Sequence, residues 1–197
     1  MSALAARAAR RDDKEWTKII RSRDMHMQSQ MPSSRRPLDA DDLYALAQAQ
    51  RAADQPRAIC TALETLSAEV IGHRLFTVMR FDSACSEVQR IYSNMPAVYP
   101  NGGRKRKKAT AWADHVLRDM KVFLGNRADD IRSAFDDHST ILGLGVGSVL
   151  NIPVVYAGRC LGTMNLLHEA GWYRGEDEHS GVLLAAFLIA PLLELAE

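Results

Sequence analysis

The chain predicts an α+β domain. A central antiparallel β-sheet of five to six strands is expected to carry terminal helices on one face and loops with short helices over a pocket on the other. Three observations lead there. Gly147–His168 reads as two strands rich in apolar and β-branched residues, reversed at Ala157-Gly158. Apolar residues at helical spacing flank the strand-rich region at both ends. A long excursion, Ser93–Gly145, separates the first strand pair from the second, and long segments over a rigid sheet are where binding residues collect.

Taken in order, a helix starts at Asp39 or Ala40 with Leu43, Leu46 and Ala47 on one side. A second follows Asp54-Gln55, with Pro56 in its first turn and Ile59, Leu63, Leu66 and Val70 on one face; Gly72 ends it. Leu75–Phe81 and Glu87–Tyr92 form a strand pair around a polar turn. In the excursion, Thr110 caps a helix running to about Met120, Val122–Leu124 is a short strand, and Ala128–Leu142 holds one or two short helices. The hairpin follows, with Gly162 and Thr163 marking a place where something packs closely on the backbone. The last helix spans about Gly175 to Leu193. The glycines of Leu142-Gly-Leu-Gly-Val-Gly147 lead from helix to strand, the reverse of a dinucleotide-binding turn, and are read as a loop.

Residues 1–37 form a basic, flexible tail in this reading, with nine Lys/Arg against four Asp/Glu, and 38–197 form the folded domain. Within it, Trp16, Ile19 and Ile20 fall on one face of a helix read over 1–23, and 25–37 reads as a linker. No secretory signal is visible, and the longest apolar run, Gly181–Leu193, is too short to span a bilayer. A cytoplasmic protein is expected, with no membrane partner. The three cysteines, Cys60, Cys85 and Cys160, have neither disulfide-framework nor zinc-site spacing.

Candidate site residues cluster around the excursion. Asn101-Gly-Gly-Arg-Lys-Arg-Lys-Lys108 places five consecutive cations after two glycines. It reads as a mobile lid closing on an anionic ligand, with Arg104 and Arg106 offering forked hydrogen bonds. Nucleic acid is disfavoured as a partner because no aromatic residues interleave with these charges. Tyr99 and Trp112 would supply apolar walls; Tyr92, Asn94, Asp129 and His138 are the polar candidates nearby, and Arg80 stands at the end of the first strand. No catalytic residue, metal ligand or cofactor is assigned. His115 and His138 lack a second ligand at recognisable spacing.

The motif Gly-Ser-Val-Leu-Asn-Ile-Pro-Val, a short turn, then Gly-Arg-Cys-Leu-Gly-Thr-Met-Asn-Leu-Leu resembles the C-terminal hairpin of GAF domains, the small-molecule sensor modules. In element order the resemblance extends from Leu38 to Leu193. It implies a sensory or regulatory protein that binds a small organic, anionic ligand between the sheet and residues 94–142 and signals to a separate partner. Free methionine-sulfoxide reductases of this fold use cysteines in the excursion, where this chain has none, which counts against that enzyme and against cysteine-linked bilins. The cyclic-nucleotide signature is matched only by Asn126, Phe135 and Asp136-Asp137, without its Lys and Glu. An enzyme in the same pocket, or a dimeric adaptor without ligand, are the alternatives. The unbroken apolar stretch Val182–Leu193 and the family's habit of pairing through terminal helices imply a homodimer. Replacing Leu184 or Leu188 by Arg is then expected to give monomer or unfolded protein.

Overall fold

Asp39 opens the first helix, α1 (Ala40–Ala49), through a capping box in which its carboxylate accepts from the Asp42 N–H and the Asp42 carboxylate accepts from its own. The computed structural model describes residues 35–84, 87–106 and 110–195. The expectations for residues 1–34, and those for Cys85, Lys107 and Lys108, lie outside the described residues. Pro37–Glu197 forms one unit. Helix α2 (Arg57–Val70) buries Ile59, Leu63, Leu66 and Val70 along one stripe, each worth about 1.5–3 kcal/mol relative to exposure. Gly72 follows its end at φ +86°, where any Cβ would also strike the Trp172 ring at 2.7 Å.

Six strands make one antiparallel sheet: β1 (Leu75–Asp82), β2 (Glu87–Ser93), β3 (Arg104–Arg106), β4 (Phe123–Gly125), β5 (Ser148–Tyr156) and β6 (Arg159–His168), in the order β3-β2-β1-β6-β5-β4. The β5–β6 turn has positive φ at both Ala157 and Gly158, the backbone that a two-residue hairpin requires. One sheet face presents Phe76, Val78, Leu150, Ile152, Val154, Met164 and Leu166 to the terminal helices. The other face carries two smaller apolar clusters under the excursion.

Two β-bulges set which side chains reach which face. Val78 pairs with Tyr92 but Met79 with Arg90, so Ile91 is the extra residue in β2. Val154 pairs with Gly162 but Val155 with Cys160, so Leu161 is the extra residue in β6. Each bulge shifts the two-residue alternation by one and moves every later side chain to the opposite face.

Three expectations need correction. The basic run is not wholly a loop: Arg104–Arg106 pairs with Glu87–Gln89 as the edge strand β3. Thr110 does cap a helix, through the Ala113 N–H, but the α-helical part is only α3 (Ala111–Ala113) and a π-turn follows at Asp114–Arg118. The excursion continues as α4 (Ala128–Ala134) and α5 (His138–Gly143). The last helix is broken into α6 (Asp177–Ala185), a 3₁₀ turn (Ala186–Leu188) and α7 (Ile189–Glu194). Pro191 has no N–H to offer the Phe187 carbonyl four residues back. That carbonyl instead accepts from Gln50 Nε2 at 2.9 Å, which ties the break to the end of α1. Leu184 and Leu188 are fully buried in this core, whereas Val182 and Leu183 are the half-exposed residues of α6. No helix among the described residues is long and apolar enough to cross a membrane.

Candidate functional site

Between the sheet and the excursion lies a cavity of about 280 Å³. Its floor is the sheet. Thr77 of β1, Asn165 of β6 and Asn151 of β5 stand side by side in register across three adjacent strands. All three are buried. They form one hydrogen-bonded chain with the wall. Trp112 Nε1 donates to Asn151 Oδ1 at 2.9 Å, Asn151 Nδ2 to Asn165 Oδ1 at 2.8 Å, and Asn165 Nδ2 to Thr77 Oγ1 at 3.2 Å. Asn165 Nδ2 also lies 3.4 Å from the Thr77 carbonyl. An indole N–H only donates and a carbonyl only accepts, so the direction of the chain is fixed at both ends.

The walls are apolar: Leu75, Met79 and Val88 from the sheet, and Tyr99, Trp112 and Ile141 from the excursion. Trp112 packs on Phe135 with ring centroids 5.7 Å apart. Thr110 fixes the turn that delivers Trp112. Tyr99 donates to Asp137 at 3.3 Å. Its hydroxyl is pushed up to about 12, by burial first and by the Asp137 charge second. Arg90, Arg104 and Lys105 bring positive charge to the cavity. Arg104 pairs with Glu87 at 3.1 Å and Lys105 with Asp136 at 3.3 Å. The Arg90 guanidinium lies 4.8 Å from the centroid of the Tyr99 ring, and its Nη1 donates to the Pro100 carbonyl at 3.3 Å.

Of the residues singled out in the sequence, Tyr99, Arg104 and Trp112 border this cavity. The others sit elsewhere. Arg80 shares the strand face of Phe76 and Val78, opposite the cavity, because β1 runs without a bulge. Tyr92 packs with Ile91 on the helix side, edge-on to Phe76, and donates a short hydrogen bond to Glu64. Burial, then that bond, pushes its hydroxyl up to about 12. Asn94 prolongs the β1–β2 ladder: its Oδ1 accepts from the Phe76 N–H at 2.8 Å and its Nδ2 donates to the Arg74 carbonyl at 3.0 Å. Arg106 is exposed on β3. Asp129 lies in the first turn of α4, exposed, paired with Arg132 at 2.6 Å. Asp130, not Asp129, secures that helix start, accepting from the N–H groups of Asn126 and Arg127. His138 bonds through Nδ1 to the Phe135 carbonyl, and His115 through Nε2 to that of Val122. Thr77, Arg90, Asn151 and Asn165 are polar cavity residues that the sequence reading had not assigned.

The described thiols stand apart. Cys60 lies in the helix-side core and Cys160 in a cluster on the cavity side. Burial pushes Cys60 up to about 12 and Cys160 to about 11. Neither is a thiolate at neutral pH, which is the form a nucleophile needs.

No family model matches the sequence, and no curated protein matches it. Among solved structures, the GAF domain of a phosphoenolpyruvate-protein phosphotransferase (ptsP) from Coxiella burnetii superposes with a TM-score of 0.64 at 17% identity, covering 79% of this chain and 93% of that one. The corresponding Acinetobacter domain gives 0.62 at 14% identity, with 79% and 93% covered. The chain has the GAF fold. A third GAF domain, from a two-component sensor histidine kinase of Bacillus halodurans, matches at a TM-score of 0.56 and 12% identity, covering 73% of this chain and 97% of that domain. The cavity of this GAF fold therefore lies between its sheet and the segment that joins β2 to β5.

Proposed function

We propose that this protein is a sensory or regulatory GAF protein that binds a small organic molecule in the cavity over Thr77, Asn151 and Asn165. The observation that carries this reading is the cavity's make-up. Apolar and aromatic walls enclose a floor of polar side chains held in one orientation by a directional hydrogen-bond chain. Such a mixture binds a ligand by its apolar surface and selects it by a few fixed polar contacts. The solved GAF domains of similar fold come from a sensor kinase and a phosphotransferase protein, which is consistent with a regulatory role. The ligand state would be read by a separate partner. A second copy of the chain would pair through the α6 face that exposes Val182 and Leu183.

Native mass spectrometry of gently purified protein tests the ligand reading. A co-purifying small organic molecule, lost on unfolding in acid, is the expected result. A protein that carries nothing, and whose melting temperature no metabolite raises, would contradict it.

A further inference from the structure

Of the three cations that border the cavity, two already meet carboxylates: Arg104 meets Glu87 and Lys105 meets Asp136. Arg90 meets none within hydrogen-bonding distance among the described residues. Its Nε is buried without a hydrogen-bond partner, and of its other donors only Nη1 is engaged, by a neutral carbonyl. Arg90 shares the cavity face with Val88 and pairs with Met79, ahead of the bulge at Ile91. A half-buried guanidinium without a hydrogen-bonded carboxylate is short of an acceptor, and a ligand carboxylate in the cavity would supply a charge-assisted one.

The rest of the cavity narrows the ligand further. Asp137 lines the same cavity, held by the Tyr99 hydroxyl at 3.3 Å, and its charge acts on Arg90 from beyond hydrogen-bonding distance. It offsets part of the Arg90 charge and so weighs against a ligand with more than one carboxylate. On the floor, the Thr77 hydroxyl accepts from Asn165 and keeps its own hydrogen uncommitted, as Asn151 keeps one of its two amide hydrogens. The volume of about 280 Å³ lies at the small end of ligand pockets. Resting on the sensor reading above, we infer that the ligand is a compact, partly apolar monocarboxylic acid. Its carboxylate sits on Arg90, its hydrocarbon part lies against Trp112 and the aliphatic wall, and a hydroxyl or keto oxygen accepts from the Thr77–Asn165–Asn151 floor.

Thermal-shift measurements with 4-hydroxybenzoate, phenylacetate, 2-oxoisocaproate and 3-hydroxybutyrate, each beside its amide, test this. Titration calorimetry then follows the best acid on wild type, Arg90→Gln, Arg90→Lys and Thr77→Val. Acids are expected to raise the melting temperature and their amides not. Arg90→Gln is expected to weaken the acid about ten- to hundred-fold. Arg90→Lys should keep part of the affinity, and Thr77→Val should lose affinity for hydroxy and keto acids but not for phenylacetate. If Arg90→Gln fails to fold, the comparison rests on Arg90→Lys, where affinity equal to wild type overturns the inference. Amides that bind as well as acids, or full affinity in Arg90→Gln, also overturn it while leaving a ligand-binding sensor intact. No shift with any acid overturns it too, and an empty native mass spectrum beside that result removes the sensor reading as well.

Discussion

Gly162→Ala is expected to cost about 3 kcal/mol or more, at the upper end of overpacking changes. A Cβ there would lie 2.0 Å from the Met79 carbonyl oxygen and 3.0 Å from Leu192. The oxygen belongs to the backbone of the neighbouring strand, so it cannot swing aside as a side chain would. Relief requires β1 and β6 to part at the centre of the sheet, beside the Met79–Thr163 pair. Chemical denaturation should show the loss as a lower midpoint with an unchanged slope. A variant as stable as wild type would show that β6 approaches β1 less closely than described.

Leu184→Arg and Leu183→Arg should behave oppositely although the residues are neighbours. Leu184 is fully buried between α6 and the sheet, and an unpaired guanidinium there has neither water nor a partner. The Leu184 variant is expected to be largely unfolded by circular dichroism. Leu183 is 53% exposed, so its replacement should leave the fold intact. In sedimentation, the wild type is expected as a dimer and Leu183→Arg as a folded monomer. A wild type that sediments as a monomer at high micromolar concentration would remove the α6 interface. A folded Leu184→Arg protein would contradict the packing of the helix layer.

Much of the architecture was legible because its signals are local. The capping box at Asp39, the helical stripe of α2, the two-residue turn at Ala157-Gly158 and the close approach at Gly162 each reside in a few adjacent residues. The site was legible only in part, and the two bulges explain why. Strict alternation along β2 would place Arg90 and Tyr92 on one face, whereas the extra residue Ile91 sends Tyr92 to the helices while Arg90 keeps the cavity face of Val88. An ideal two-residue hairpin would set Asn151 opposite Met164. The extra residue Leu161 sets it opposite Asn165 instead and so completes the polar floor. A bulge depends on pairing across strands and leaves little trace in one strand's own sequence. The strand β3 was hidden for a different reason. It is a three-residue edge made of Arg104, Lys105 and Arg106, and charges of this kind protect an exposed edge while resembling a solvated loop. Tyr99 and Trp112 were found because large aromatic residues in a long excursion need an apolar surface to cover.

The most direct test of a ligand seated on the polar floor is a nuclear magnetic resonance titration of the labelled protein with the molecule that native mass spectrometry identifies. The Trp112 indole N–H and the Asn151 and Asn165 side-chain amides all belong to the floor chain. Their resonances are expected to shift together and saturate with one binding constant, while the Tyr92 and Phe76 region on the helix side stays unmoved. Saturable shifts confined to the helix side or to the α6 face, with the Trp112 indole and both asparagine amides unchanged, would contradict a ligand site in this cavity.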